Sequence, residues 1–168
     1  SSSFEILANP LYPTTAKDYQ QYHSVMLAME TELNTMHHMI NMLQKKREQL
    51  EKLIASLPAE EKFTVLKKEG TALAQRMKIW DEEMIQRKSL AYDDVENFPN
   101  KFTANYLFLI NQTESDIPRV NQPNLKLQQE LNAQWTTLKT RGTTLLEKDL
   151  VEFNKQLWAA GIGPVWEK

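Results

Sequence analysis

Cysteine is absent from this chain, which excludes disulfides, thiolate metal sites and cysteine nucleophiles while leaving the redox compartment open. Glycine and proline are scarce, 4 and 7 in 168 residues, so no phosphate-cradling loop can be drawn and the few breakers act as punctuation between long elements. No run of about 18 apolar residues exists, and no basic stretch followed by an apolar segment opens the chain. Neither a membrane span nor a signal peptide is therefore expected within it. An excess of one charge is missing too. Lys and Arg number 20 against 22 Asp and Glu, a formal net of -2, which offers no whole-chain electrostatic case for nucleic acid or an anionic membrane. The Gly-x-Ser-x-Gly nucleophile motif does not occur, and the lack of internal repeats argues against a solenoid.

What the chain does have is periodicity. Between Tyr22 and Leu57, apolar side chains fall at Tyr22, Met26, Met29, Leu33, Met36, Ile40, Leu43, Leu50, Ile54 and Leu57, with spacing that alternates four and three. Only Arg47 interrupts the series. A strand cannot reproduce this pattern because its faces alternate with period two, so the stretch is a heptad seam on a long helix. Thr14 or Thr15 supplies an N-cap and Asp18 sits in the first turn, which predicts a helix from about Thr15 to Ser56. Residues 1–13 form an extended leading segment or linker, held out of helical geometry by Asn9-Pro10 and Tyr12-Pro13. Residues 14–168 form the helical domain.

Pro58 and the acids Glu60 and Glu61 mark a short turn into a second helix, expected to fade near Leu90. Its stripe is Phe63, Leu66, Gly70, Leu73, Met77, Trp80 and Met84. Gly70 on that stripe predicts close approach of a neighbouring helix, with a large side chain filling the gap. A third, short helix is expected from about Lys101 to Gln112, with Phe102, Tyr106, Leu109 and Ile110 on one face. The fourth, from about Asn124 to Ala160, carries Leu127, Leu131, Trp135, Leu138, Leu145, Leu150, Phe153 and Leu157, and Gly161 and Gly163-Pro164 stop it. The tail Ile162 to Trp166 is apolar enough to dock back. The expected fold is all-α: an antiparallel up-down four-helix bundle with two long helices, one medium and one short, in coiled-coil-like packing.

Chemistry-bearing residues find bland explanations. His23, His37 and His38 all fall on the first helix, where neighbours point about 100° apart, and no Glu-x-x-His pair accompanies them, so they are expected on the solvated rim. Met26, Met29 and Met36 lie on the seam as core filler, and Met39 and Met42 at its margin. The run Lys45-Lys46-Arg47 is neutralised by Glu48 and Glu51 and is expected to form a solvated face. Arg47 is the exception: on the seam, it either pairs with a buried carboxylate, sets helix register or snorkels. Asp93-Asp94 reads as loop capping. Trp80 and Trp135 belong to the core, while Trp158 and Trp166 are the surface candidates that could stack a sugar. No catalytic, cofactor-binding or metal-binding residue is expected.

Two blocks carry a family likeness. Lys88-Ser89-Leu90 and Asn97-Phe98-Pro99-Asn100-Lys101-Phe102, with Asn105-Tyr106-Leu107 following, form the first. The second is Asp149-Leu150-Val151-Glu152-Phe153-Asn154-Lys155-Gln156-Leu157 with Ala160-Gly161-Ile162. Together they resemble the carboxyl-terminal helical region of bacterial sortilin-type β-propeller proteins, which carry BNR repeats and are glycosyl hydrolase-like. Phe4-Glu5-Ile6-Leu7-Ala8-Asn9-Pro10 resembles the last strand of the module that precedes those helices. Asn9 stands where an Asp is common and Lys101 where an Arg is common, while the Ser115 to Pro123 loop follows no shared pattern.

The propeller's own Asp-box, Ser-x-Asp-x-Gly-x-Thr-Trp, does not occur in this chain. The resemblance implies an exported parent, periplasmic or at the cell surface, whose hydrolytic or ligand-binding chemistry resides outside these residues. The expected role is a non-catalytic accessory or interaction domain that contacts other domains of the parent chain or a protein partner. Its expected contact surface is Tyr92, Phe98, Pro99, Trp158 and Trp166, because long ordered loops and exposed aromatics are common binding elements. Neither nucleic acid nor membrane insertion is expected. The alternatives are a bundle that itself contributes to glycan binding by a glycoside hydrolase, and a self-associating coiled coil.

Overall fold

The computed structural model describes residues 3–5, 7, 9–91, 94, 97–114 and 117–165, and every regular element among them is helical. Helix α1 spans Ala16–Ser56, 41 residues, and so extends about 60 Å at roughly 1.5 Å per residue. Its start is a capping box: Thr15 Oγ1 accepts from the Asp18 backbone N–H at 3.2 Å, and the Asp18 carboxylate accepts from the Thr15 N–H at 2.8 Å. The Thr15 hydroxyl also donates to the Asp18 carboxylate at 2.7 Å, and this bond, followed by that from the Thr15 N–H, holds the Asp18 carboxyl below its ordinary value, with the positive charge of Arg119 adding to the effect.

After a single 3₁₀ turn at Glu61–Phe63, α2 runs Thr64–Met84. It ends well short of the expected Leu90. Ile85 turns extended at φ -140° and ψ 142°, and the chain folds back so that Arg87 reaches Asp81. Helix α3 spans Phe102–Thr113, close to expectation. Helix α4 spans Gln122–Thr144, with Asn121 Oδ1 capping the Asn124 N–H at 2.7 Å.

The fourth expected helix is not a uniform α-helix. A π-helical turn at Leu145–Asp149 joins α4 to α5, Leu150–Ala159. The cause is visible in the stripe, whose steps of three and four, with buried Gly142 counted between Leu138 and Leu145, jump to five between Leu145 and Leu150. An i→i+5 turn absorbs one extra residue and returns Leu150, Phe153 and Leu157 to the core side. At the far end, Ala160 and Gly161 close a Schellman motif: Ile162 N–H donates to Leu157 O at 2.9 Å and Gly161 N–H to Trp158 O at 3.0 Å. The positive φ of 76° there requires glycine. Val165 docks back into the core, its N–H donating to Asn154 Oδ1 at 2.9 Å; Trp166 lies outside the described residues.

One apolar core joins the helices. Met26, Met29, Met36, Ile40, Leu43, Leu50 and Leu57 of the first seam are buried, as is the whole stripe of α2 from Phe63 to Met84. Two glycines bring the helix axes together. A Cβ on Gly70 would come within 2.7 Å of Ile54 Cδ1 and 2.8 Å of Phe153 Cζ, so those side chains occupy the space it leaves. A Cβ on Gly142 would lie 3.0 Å from Trp80 Cζ2 and against the Met39 sulfur. The space at Gly142 corrects one expectation: Met39, read as marginal, is buried.

Lys46 corrects another. It is buried rather than solvated, because it lies three residues from Leu43 and four from Leu50, and its aliphatic stem packs along the same face. The segment that precedes α4 ties down the start of α1. Arg119 Nη2 donates to Pro13 O at 2.7 Å, and Arg119 Nε stands 3.7 Å from Asp18 Oδ1.

The π turn offers a direct test of the register argument. Deleting exposed Glu147 shortens the step from five to four. The variant is expected to keep its fold and its urea-unfolding midpoint while losing the π turn. Deleting Gln134 within α4 instead rotates every later core residue by about 100° and should lower stability by several kcal/mol. Equal damage from the two deletions would refute the explanation.

Candidate functional site

The fold-back at the end of α2 builds a polar recess. Asp81 is buried, its side chain 3% exposed, and it accepts two hydrogen bonds from one guanidinium: Arg87 Nε at 2.6 Å and Arg87 Nη2 at 2.7 Å. This bidentate pairing raises the Arg87 pKa, with burial opposing the shift. Gln86 then braces the following loop, its Nε2 donating to Pro99 O at 3.3 Å and its Oε1 accepting from Lys88 N–H at 3.1 Å. The result is a cavity of about 500 Å³ whose wall includes Arg47, Asp81, Arg87, Phe98, Pro99 and Lys101.

Arg47, the one break in the α1 seam, lines this cavity. Its side chain is 16% exposed, its Nε is buried without a hydrogen-bond partner among the described residues, and the Glu51 carboxylate stands at 3.9 Å, beyond hydrogen-bond reach. Of the three roles open to it in the sequence, pairing with a buried carboxylate is not the one it takes, because Asp81 is engaged by Arg87.

The expected contact residues divide between two places. Phe98, half-buried, and Pro99, exposed, share the wall of this cavity. Trp158 is 70% exposed and, with Gly161, Ile162 and Gly163, lines a separate recess of about 200 Å³ that has no residue in common with the first. Tyr92 and Trp166 lie outside the described residues, as does Asp93. Asp94 caps the loop as expected, its Oδ2 accepting from Leu90 N–H at 2.7 Å and Ala91 N–H at 2.8 Å. The Ala91 and Leu90 N–H groups hold its carboxyl below the ordinary 3.8.

Sequence reasoning missed Asp81, Arg87 and Lys88 as site-formers and noted Lys101 only as a departure from a family pattern. The available signal was an acid at a core-adjacent position of α2 with an arginine just past the helix end.

A second polar cluster bridges α1, α3 and α4 at the edge of the core. The Trp135 indole N–H donates to Glu32 Oε2, Lys139 Nζ lies 3.6 Å from the same oxygen, and Tyr106 OH donates to Asn132 Oδ1 at 2.8 Å. Burial, with the Glu32 charge adding, pushes the Tyr106 phenol up to about 12. These groups satisfy one another across helices. His23, His37 and His38 are exposed on α1, and no group of three His, Asp or Glu is placed to hold a metal among the described residues. No helix among those residues is long and apolar enough to cross a membrane.

Replacing Arg87 by Met leaves the buried Asp81 carboxylate unpaired. It should lower unfolding free energy by about 2 kcal/mol, less than the ~3–5 of a fully buried pair because Arg87 is 36% exposed. Urea denaturation measures it. Because the folded-state pKa of Asp94 is depressed, its cap is fully present above the ordinary carboxylate pKa and is lost as pH falls through the lowered value. The exchange protection of the Leu90 and Ala91 amides, relative to the intrinsic rate at each pH, should fall across that acid window, and in Asp94→Ala it should be low and constant there.

No protein-family model matches this chain, and no curated protein or solved structure matches it either. The likeness to the propeller proteins rests on its residue blocks alone.

Proposed function

We propose that this chain is a non-catalytic helical bundle that serves as an accessory or protein-interaction domain. The observation that carries the reading is where its apolar side chains go. The stripes of all the helices are spent on one core, while Phe98, Pro99 and Trp158 are left on loop and terminal surfaces. Several acids have structural partners, which supports the same reading: Asp18 caps α1, Asp81 holds Arg87 and Asp94 caps a loop. The residue blocks around Asn97-Phe98-Pro99 and Asp149 to Leu157 support a further step. In it, the domain lies at the carboxyl terminus of an exported BNR or sortilin-type propeller protein, periplasmic or at the cell surface.

The helix directions belong to the proposal. Ile54 beside Gly70, with Met39 and Trp80 both against Gly142, supports α2 running antiparallel to α1. Tyr106 with Asn132, and Thr113 with Asn124, support α3 antiparallel to α4. Glu32 with Trp135, and Met39 with Gly142, support α4 running alongside α1 in the same direction. Thr103 Oγ1 donates to Met84 O at 2.8 Å, so the start of α3 meets the end of α2. On this reading α2 and α3 are successive halves of one strut, and the bundle has three struts in coiled-coil-like packing rather than four alternating helices.

Calorimetric titration of this chain into the upstream part of its parent protein should give saturable binding. Phe98→Ala should weaken that binding about tenfold with helicity unchanged. Absence of binding, or turnover of a glycan by the chain itself, overturns the reading. The adjacent exposed Leu107 and Phe108 of α3 favour a second reading, self-association, which light scattering at two concentrations would reveal as a dimer mass.

A further inference from the structure

The cavity at the end of α2 carries a local charge that the whole chain does not. Its wall holds five cations, Arg47, Lys78, Arg87, Lys88 and Lys101, against two carboxylates, Asp81 and Glu82. Both carboxylates are already engaged: Asp81 by Arg87, and Glu82 at 3.9 Å from Lys78. Lys88 and Lys101 have no ion-pair partner among the described residues. Adding the nearby acids of α1, Glu51 beside Arg47 and Glu48 whose charge acts on Arg87, still leaves cations in excess among the described residues.

Arg47 sharpens the point. A cation on the seam of a coiled-coil-like helix, with a buried N–H that bonds to nothing, is a standing cost to the free protein. A methionine or leucine there would continue the stripe. An acceptor oxygen brought into the cavity would offer Arg47 Nε the hydrogen bond that Glu51 at 3.9 Å does not make, and low exposure would strengthen that attraction. The same wall carries Ile85, Phe98 and Pro99, an apolar surface beside the charges.

We propose that this cavity binds an anionic head group, a carboxylate or phosphate, carried on an apolar or ring-shaped body. Arg47, Lys88 and Lys101 take the head, and Phe98 and Pro99 take the body. Arg87 is committed to Asp81 and holds the wall in shape. The inference rests on the docking reading only in that Phe98 and Pro99 belong to both surfaces.

Thermal unfolding of the chain in inorganic phosphate, phenyl phosphate and benzoate tests it, with chloride at matched ionic strength as the control. A ligand that binds only the folded state raises the midpoint in a saturable way. Phenyl phosphate or benzoate should do so beyond the chloride control, and Lys101→Gln should weaken the apparent affinity about tenfold, the scale of one lost charge-assisted contact. Arg47→Met should start from a higher midpoint than the parent and lose the response. Phe98→Ala should weaken phenyl phosphate and leave inorganic phosphate unchanged.

A response to the phosphates alone assigns a phosphate head, and a response to benzoate alone assigns a carboxylate. Responses no larger than chloride, or undiminished in both Arg47→Met and Lys101→Gln, overturn the inference. Anion binding lost with the partner contact kept sinks this inference alone; the reverse sinks only the docking reading.

Discussion

Trp80 is where the bundle is held. Its ring is fully buried on α2, its face rests where Gly142 leaves α4 without a side chain, and Met39 of α1 fills the remaining space. The indole N–H donates to Leu138 O at 2.8 Å, so this buried side chain also satisfies its only polar atom. Three helices thus meet at one residue, and their separation there is set by the size of an indole against a glycine. Gly70, with Ile54 and Phe153, repeats the device nearer the start of α2. Between these two points the heptad spacing does the rest, because stripes that face each other at two fixed places must face each other between them.

The end of α2 shows a different constraint. A carboxylate at Asp81 has to be paired once the helices close over it, since an isolated buried charge costs several kcal/mol. Arg87 can reach it only if the helix stops and the chain doubles back, and the turn at Ile85 accomplishes that. One buried charge therefore dictates a helix terminus, the course of the following loop and the recess that Phe98 and Pro99 help to line. Arg47 faces the same recess from α1 without an equivalent partner. On the anion-binding proposal, stability and ligand chemistry pull in opposite directions at this position, the kind of local rule-breaking found at functional sites.

Much of the fold was legible because helical periodicity is a local signal that many residues repeat. The α1 seam, the α2 stripe, the Thr15 cap and the Gly161 stop all follow from short-range chemistry, and the structure reproduces them. The π turn was also legible, as the five-residue step from Leu145 to Leu150, although reading it requires treating a break in register as information rather than noise. Lys46 was misread because residue type suggested solvent, whereas its spacing to Leu43 and Leu50 already placed it on the inner face. The site was harder. Phe98 and Pro99 stood out as residues of a long loop, but nothing local connects them to Arg47 or Asp81, which lie on other elements far away in sequence.

By itself, the sequence determined that the chain is helical, where most of its helices begin and end, and which face of each is turned inward. Those properties depend on neighbours within a turn or two. Only the tertiary structure decided which side chain fills the gap at each glycine, that α2 stops at Met84, and that Arg47 shares a cavity with Phe98 and Lys101. Such outcomes depend on pairs of atoms brought together by packing, where a difference of a few ångströms decides whether a charge finds a partner, and no local pattern encodes that distance.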